Sequence, residues 1–215
     1  MFGDGPLTFR EAMMREPLPL AAIHDAILFE FLRDRDDAVL FGAQAVNAYV
    51  KEPRMTQDVD IASPRAEALA EELRSFLNQK FHIAVRVRTV REGIGYRIYQ
   101  IQKPENRHLV DVRPINALPP HQRVEGVLVV TPPQLICEKV LSMVGRRKKR
   151  KGLMDEADLH ALLLTFPELK TDEGAVRERL LAAEASEEVL AAWSELVAQE
   201  ILPEDDADEF GGRIK

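Results

Sequence analysis

Arg54-Met55-Thr56-Gln57-Asp58-Val59-Asp60 ends in two carboxylates two positions apart, where the chain enters the apolar run that continues through Ile61 and Ala62. Side chains at i and i+2 of a β-strand share a face, so a strand here aims Asp58 and Asp60 the same way, about 6 to 7 Å apart along the backbone. Like charges at that spacing repel, and both stay ionised only where a cation sits between them. The pair therefore predicts a divalent-metal site; the plainer alternative is a solvated strand end.

A third carboxylate follows in His108-Leu109-Val110-Asp111-Val112-Arg113. Strand alternation puts Val110 and Val112 on the face opposite Asp111. A carboxylate desolvated beside a core costs several kcal/mol unless partnered, so Asp111 needs an arginine, a backbone donor or a metal. Arg113, on the same face, is one candidate. If instead this strand lies beside that of Asp58 and Asp60, the three acids form an all-oxygen set suited to magnesium. His82, His108, His121 and His160 show no metal-ligand spacing and receive no role.

The surrounding pattern predicts an α/β unit. Apolar residues recur at helical spacing over 20–33, a short strand at 38–41 runs into Gly42, and 43–50 is helical. Ser63-Pro64 reads as a cap and first-turn pair for a helix to about 79. Strands are expected at 83–90, 96–102 and 108–113, with another at 126–130 after Pro119-Pro120. From there the pattern is helical, over 132–145, 154–165, 173–184 and 187–201. The expected architecture is a mixed sheet flanked by helices over 1–118, a C-terminal helical bundle over 119–203, and a flexible acidic tail over 204–215.

Composition narrows the setting. With 46% hydrophobic residues among 215, the chain can bury a sizeable core. No apolar run approaches the roughly 18 residues needed to span a bilayer, and acidic groups and prolines stand where a signal peptide needs an apolar stretch. A lone cysteine, Cys137, leaves no internal disulfide framework, so a cytoplasmic protein is expected. The net charge of −7 argues against broad affinity for nucleic acid. Against that average, residues 146–151 read Arg-Arg-Lys-Lys-Arg-Lys, either a solvated face or a local polyanion site.

Leu40-Phe41-Gly42-Ala43 before a helix, Arg54-x-Thr56-x-Asp58-Val59-Asp60, and Asp111 on a later strand together resemble the nucleotidyltransferase superfamily. Within it the chain looks like the AbiEii-like nucleotidyltransferases of bacterial toxin–antitoxin and abortive-infection systems, over about residues 20 to 165. Thr131-Pro132-Pro133-Gln134-Leu135 leading to Lys139, then Asp155 and Asp158-Leu159, extends the likeness.

The resemblance implies transfer of a nucleoside monophosphate from a nucleoside triphosphate to an acceptor, with pyrophosphate leaving. It implies two magnesium ions held by Asp58 and Asp60, with Asp111 binding the ion nearer the acceptor hydroxyl and taking its proton. Gly42 would let the triphosphate approach the backbone, Lys139 and Arg54 would neutralise phosphate oxygens, and Thr56 would donate a hydroxyl or organise its loop. Each has a structural alternative: a tight turn at Gly42, a solvated Lys139, a surface Arg54. Ala43 departs from the superfamily's usual Ser or Gly and removes a hydroxyl contact to the terminal phosphate, and Gln44 is a candidate substitute. Arg146, Arg147, Lys148, Lys149, Arg150 and Lys151 make RNA a candidate acceptor, beside a protein or a small molecule, and the family setting implies a cognate antitoxin. The alternative is an inactive protein of the same fold that binds RNA or a protein partner.

Overall fold

The computed structural model describes residues 19–90 and 94–203. The acidic tail expected at 204–215 lies outside the described residues. Among those described, no helix is long and apolar enough to cross a membrane.

The centre of the molecule is a seven-stranded mixed sheet. Its strands are β1 (Val39–Phe41), β2 (Val59–Ser63), β3 (Val85–Val90), β4 (Gly95–Gln100), β5 (Arg107–Pro114), β6 (His121–Val124) and β7 (Val127–Val130). They lie in the order β3-β4-β5-β2-β1-β7-β6. The β2–β5 and β1–β7 pairs are parallel and the other neighbours antiparallel. The middle strands read as unbroken apolar runs because they are covered on both faces: every residue of β1 and β7 is buried. The outer strand β6 is exposed at His121, Gln122 and Arg123, so it carries no apolar alternation, and the sequence pattern showed only the β7 half of this hairpin.

Helix α1 (Leu20–Ala26) widens into a π-helical turn over Ile27–Phe31, closed by the Leu32 amide on the Ile27 carbonyl at 2.9 Å. A two-turn helix α2 (Gly42–Asn47) follows β1 directly. Helix α3 (Ala66–Phe81) buries Ala66, Leu69, Ala70, Leu73 and Leu77 against β3, β4 and β5. Those positions form one stripe at three- and four-residue spacing. Ser63 ties the strand end down rather than capping the helix. Its hydroxyl donates to the Asp37 carbonyl at 2.6 Å and accepts from the Arg65 amide at 3.0 Å, and the helix starts three residues later.

The C-terminal part consists of α4 (Pro132–Gly145), α5 (Arg150–Thr165), α6 (Ala175–Ala182) and α7 (Glu187–Ala198). Two prolines open α4, where their missing amides cost nothing. Helix α4 packs on α5, α6 and α7, and both α4 and α5 also reach α2. Helix α5 begins earlier than the apolar period indicates, because Arg150 and Lys151 favour helix without marking a buried face.

Gly152 sets the approach of α5 to the end of α4: a Cβ there would stand 2.4 Å from the Arg146 carbonyl oxygen. Glycine inside a helix is ordinarily about 1 kcal/mol worse than alanine. Here the contact reverses the sign, and Gly152→Ala is expected to destabilise the fold by roughly 1–3 kcal/mol in urea unfolding.

Candidate active site

Strand register brings the acids together. Asp60 lies opposite Asp111 across the parallel β2–β5 pair, so both side chains leave the same face of the sheet. Asp58 immediately precedes β2. On the other side, Phe41 of β1 is the partner of Asp60, and the chain turns at Gly42 with φ +70°. A Cβ at residue 42 would fall 2.1 Å from the Asp60 Oδ2, so no other residue type fits while that carboxylate keeps its place.

His108 joins this group, contrary to the sequence expectation. In a regular strand His108 and Asp111, three apart, would face opposite ways. However, Val110 pairs with Ile98 while His108 pairs with Tyr99, leaving Leu109 as an extra residue. This bulge restores His108 to the face of Asp111. Its Nδ1 lies 3.2 Å from Asp58 Oδ2 and its Nε2 3.1 Å from Asp111 Oδ1. Burial opposes a charge on the imidazole, yet the two carboxylates outweigh it and push its pKa up to about 9. The His108 bond in turn holds Asp58 below the usual carboxylate range. Burial raises Asp111, but His108 and Arg97 together pull it below that range as well.

The arginine partner of Asp111 is not the one expected. Arg97, directly across on β4, places Nε 2.9 Å from Asp111 Oδ1. Arg113 instead lies over the Phe41 ring, 4.5 Å from its centroid. Asp60 has the opposite environment. Burial first, then the charges of Asp58 and Asp111, push its pKa up to about 6.

A loop between α2 and β2 carries Arg54 and Thr56. Asn47 pins it by accepting from the Arg54 amide at 3.1 Å and donating to the Arg54 carbonyl at 2.8 Å. The Gln44 amide nitrogen donates to Thr56 Oγ1 at 2.7 Å and meets Nδ1 of buried His24 at 3.0 Å. Thr56 therefore organises its loop, and Gln44 is committed there rather than replacing the hydroxyl missing at Ala43. The Arg54 guanidinium grips Asp158 of α5 with two bonds of 2.6 and 2.9 Å.

Lys139 is not a free phosphate ligand either. It is buried on α4, with Nζ 3.0 Å from Asp155 Oδ1 and 2.5 Å from Asp158 Oδ2. Ser142 also bonds Asp155, at 2.8 Å. Arg54, Lys139, Asp155 and Asp158 thus form a neutral cluster locking the loop to α4 and α5. The basic run is divided. Arg146 reaches Asp155 at 3.5 Å and Arg147 reaches Glu188 at 3.2 Å, while Lys151 lies near enough to Asp58 to help lower its pKa.

One ligand atom each from Asp58, His108 and Asp111 lies within 4.8 Å of the others. Two carboxylates and an imidazole in that space suit a divalent cation. Burial is the main reason Asp60 is raised, and the charges of Asp58 and Asp111, which add to it, are ones a bound cation would offset.

A family model described as the nucleotidyl transferase AbiEii toxin of type IV toxin–antitoxin systems matches residues 26–212. The chain belongs to the AbiEii nucleotidyltransferase family. No curated protein matches it by sequence. Among solved structures, the polyadenylate synthase of Megavirus is similar with a TM-score of 0.52 and 14% identity, over 80% of this chain and 41% of that one. Two solved structures from Helicobacter pylori are also similar. JHP933 has a TM-score of 0.50 and 14% identity, over 82% of this chain and 88% of that one. A candidate nucleotidyltransferase has a TM-score of 0.52 and 13% identity, over 89% and 94%. At these identities the likeness is one of fold. This AbiEii-family chain spans less than half the length of the viral enzyme.

Two outcomes follow for the AbiEii-family chain. Lys139→Met leaves Asp155 and Asp158 short of a buried partner and is expected to cost about 3 kcal/mol of stability; a lysine serving only phosphate would leave unfolding unchanged. For His108 the folded pKa is raised above its unfolded value, so its stabilisation is complete below about 6.5 and is lost as pH rises through about 9. Stability in chelator is expected to fall by about 1–3 kcal/mol across that window in unfolding measurements, and His108→Gln to flatten the slope.

Proposed function

We propose that this protein transfers a nucleoside monophosphate from a nucleoside triphosphate to an acceptor hydroxyl, releasing pyrophosphate. The supporting observation is the register of β2 against β5, which sets Asp60 beside Asp111 with Asp58 next to them, in a chain of the AbiEii family. Asp58, Asp60 and Asp111 would hold magnesium, with His108 contributing a nitrogen or withdrawing. Two such ions, when bound, neutralise the charge that develops on the transferred phosphoryl group.

The protein's own groups do the rest. Asp111 faces the acceptor and takes the hydroxyl proton, which requires its bonds to His108 and Arg97, the groups that hold it below the usual carboxylate range, to loosen first. Gly42 leaves room for the Asp60 carboxylate. Lys151 stands near Asp58 with its charge available to the triphosphate. Arg54, Thr56 and Lys139 act by fixing the loop that leads into Asp58, so helices α4 and α5 brace the sheet that carries the acids. The acceptor is RNA, a protein or a small hydroxylated molecule. A type IV toxin–antitoxin setting supports a cognate antitoxin and action in the cytoplasm.

A second reading, a protein that binds but does not turn over, is favoured by Ala43 and by the His108 imidazole bridging Asp58 and Asp111. The two part cleanly in one assay. Wild-type protein with magnesium, each labelled nucleoside triphosphate and cell extract as acceptor is expected to release pyrophosphate and label an acceptor. Asp58→Ala with Asp60→Ala is expected to lower the rate at least about a hundredfold. No label above that double variant, with wild-type protein still binding RNA or a protein partner, would favour the binding reading instead.

A further inference from the structure

Among the described residues, the face of the sheet that carries the acids continues outward, with no helix packed on it, to the edge strand. Paired residues share a face, so Asp60, Asp111, Arg97 and Arg88 form one row across β2, β5, β4 and β3. The next row brings Asp58 beside His108, Tyr99 and Arg86. The reverse face of these strands is the one α3 covers, where Ile98 and Val110 are buried. Arg86, Arg88 and Arg97 are exposed, and Tyr99 is half-buried with its ring 5.1 Å from that of His108.

Arg88 directly opposite Arg97 is the telling pair. Like charges facing each other across two strands destabilise a sheet. Asp111 relieves Arg97, but Arg88 and Arg86 continue the cationic row away from it, in a chain whose net charge is −7. An arrangement that costs stability in the free protein is compensated when an anion lies along it. Arginines on a flat open face beside an aromatic ring match a single nucleic-acid strand, which offers phosphates to the cations and a base to the ring.

We propose that the open face of β3 and β4, through Arg86, Arg88 and Tyr99, binds a single-stranded RNA whose end reaches the carboxylates. The distance suits this occupant: two strand spacings, about 10 Å, separate β5 from β3, which is about three stacked nucleotides. The assignment differs from the basic run at 146–151, where Arg146 and Arg147 are engaged with Asp155 and Glu188. It rests on the nucleotidyltransferase reading only for what happens at the strand's end.

The test is binding of a fluorescently labelled 12-nucleotide single-stranded RNA to the full chain, by anisotropy, in chelator without nucleotide, from 50 to 200 mM salt. For Arg86→Ala with Arg88→Ala, affinity is expected to fall and the logarithmic salt slope to drop by about 1.4, two phosphate contacts at about 0.7 each. Its thermal midpoint should be equal or higher, since a repulsive pair is gone. Tyr99→Leu should weaken binding with the salt slope kept. Wild-type protein that fails to bind the RNA, or a loss that instead follows Lys148→Ala, Lys149→Ala and Arg150→Ala, overturns the proposal. So does a double variant that binds the RNA as the wild type does. RNA binding on this face without pyrophosphate release would sink only the transfer reading, and release without this binding would sink only the docking surface.

Discussion

Three carboxylates on one face of a buried sheet repel, and the arrangement of charge around them follows from that repulsion. Parallel pairing of β2 with β5 fixes Asp60 against Asp111. Neither can turn away without breaking the register that buries Val59, Ile61, Val110 and Val112 on the opposite face. The repulsion is therefore met locally. His108 and Arg97 neutralise the outer two acids, while Asp60, which has no ion pair among the described residues, is raised first by burial and then by its acidic neighbours. A dication placed among them would do the work of the imidazolium and relieve Asp60 as well. The free protein's network and a metal-loaded one are thus competing solutions to one electrostatic problem.

A second set of charges solves a mechanical one. The loop before β2 is short of apolar side chains, with Met55 almost fully exposed, so packing does not hold it. Buried Lys139 and Asp158, with Asp155, grip it through Arg54 from two helices. Such a cluster contributes little net stability compared with an apolar core, but it specifies one geometry, because each charge tolerates only its own partners. Asp58 inherits that geometry from a loop that would otherwise drift. The C-terminal helices matter to the site in this indirect way, since Lys139, Asp155 and Asp158 all come from α4 and α5.

Much of this was legible in the sequence. The apolar runs located β1, β2, β5 and β7, the Ser63-Pro64 start signal pointed to α3 a little ahead of its first residue, and Asp-x-Asp with a later Asp located the acids. What failed did so for identifiable reasons. His108 was missed because strict alternation assigns it the wrong face, and a bulge at Leu109 is a property of pairing that one strand's sequence does not display. Arg113 was a natural partner for Asp111 on the same strand, but Arg97 is closer across the sheet, and cross-strand neighbours are invisible without the register. Lys139 carried the spacing of an apolar helix face, which fits its burial, but its two aspartates lie 16 and 19 residues away. The run at 146–151 drew attention by density, whereas the arginines of β3 and β4 are spaced two apart and converge only once the strands pair.

Gly42 and Ala43 illustrate how the structure redistributes meaning between neighbours. Read alone, the glycine suggests room for a triphosphate and the alanine a lost contact to it. With the Asp60 carboxylate where a Cβ would sit, the glycine is required by the acid site whether or not a triphosphate comes near. Its presence therefore speaks for the carboxylates and says little about nucleotide affinity. Ala43 then has no local remedy, because the Gln44 amide is spent on Thr56 and His24. Under the proposed transfer, attraction for a triphosphate would come from the other side of Asp58, where Lys151 sits, and from a cation held by the acids. Triphosphate affinity in this chain should accordingly depend more on bound metal than it would in a relative with a serine at that position.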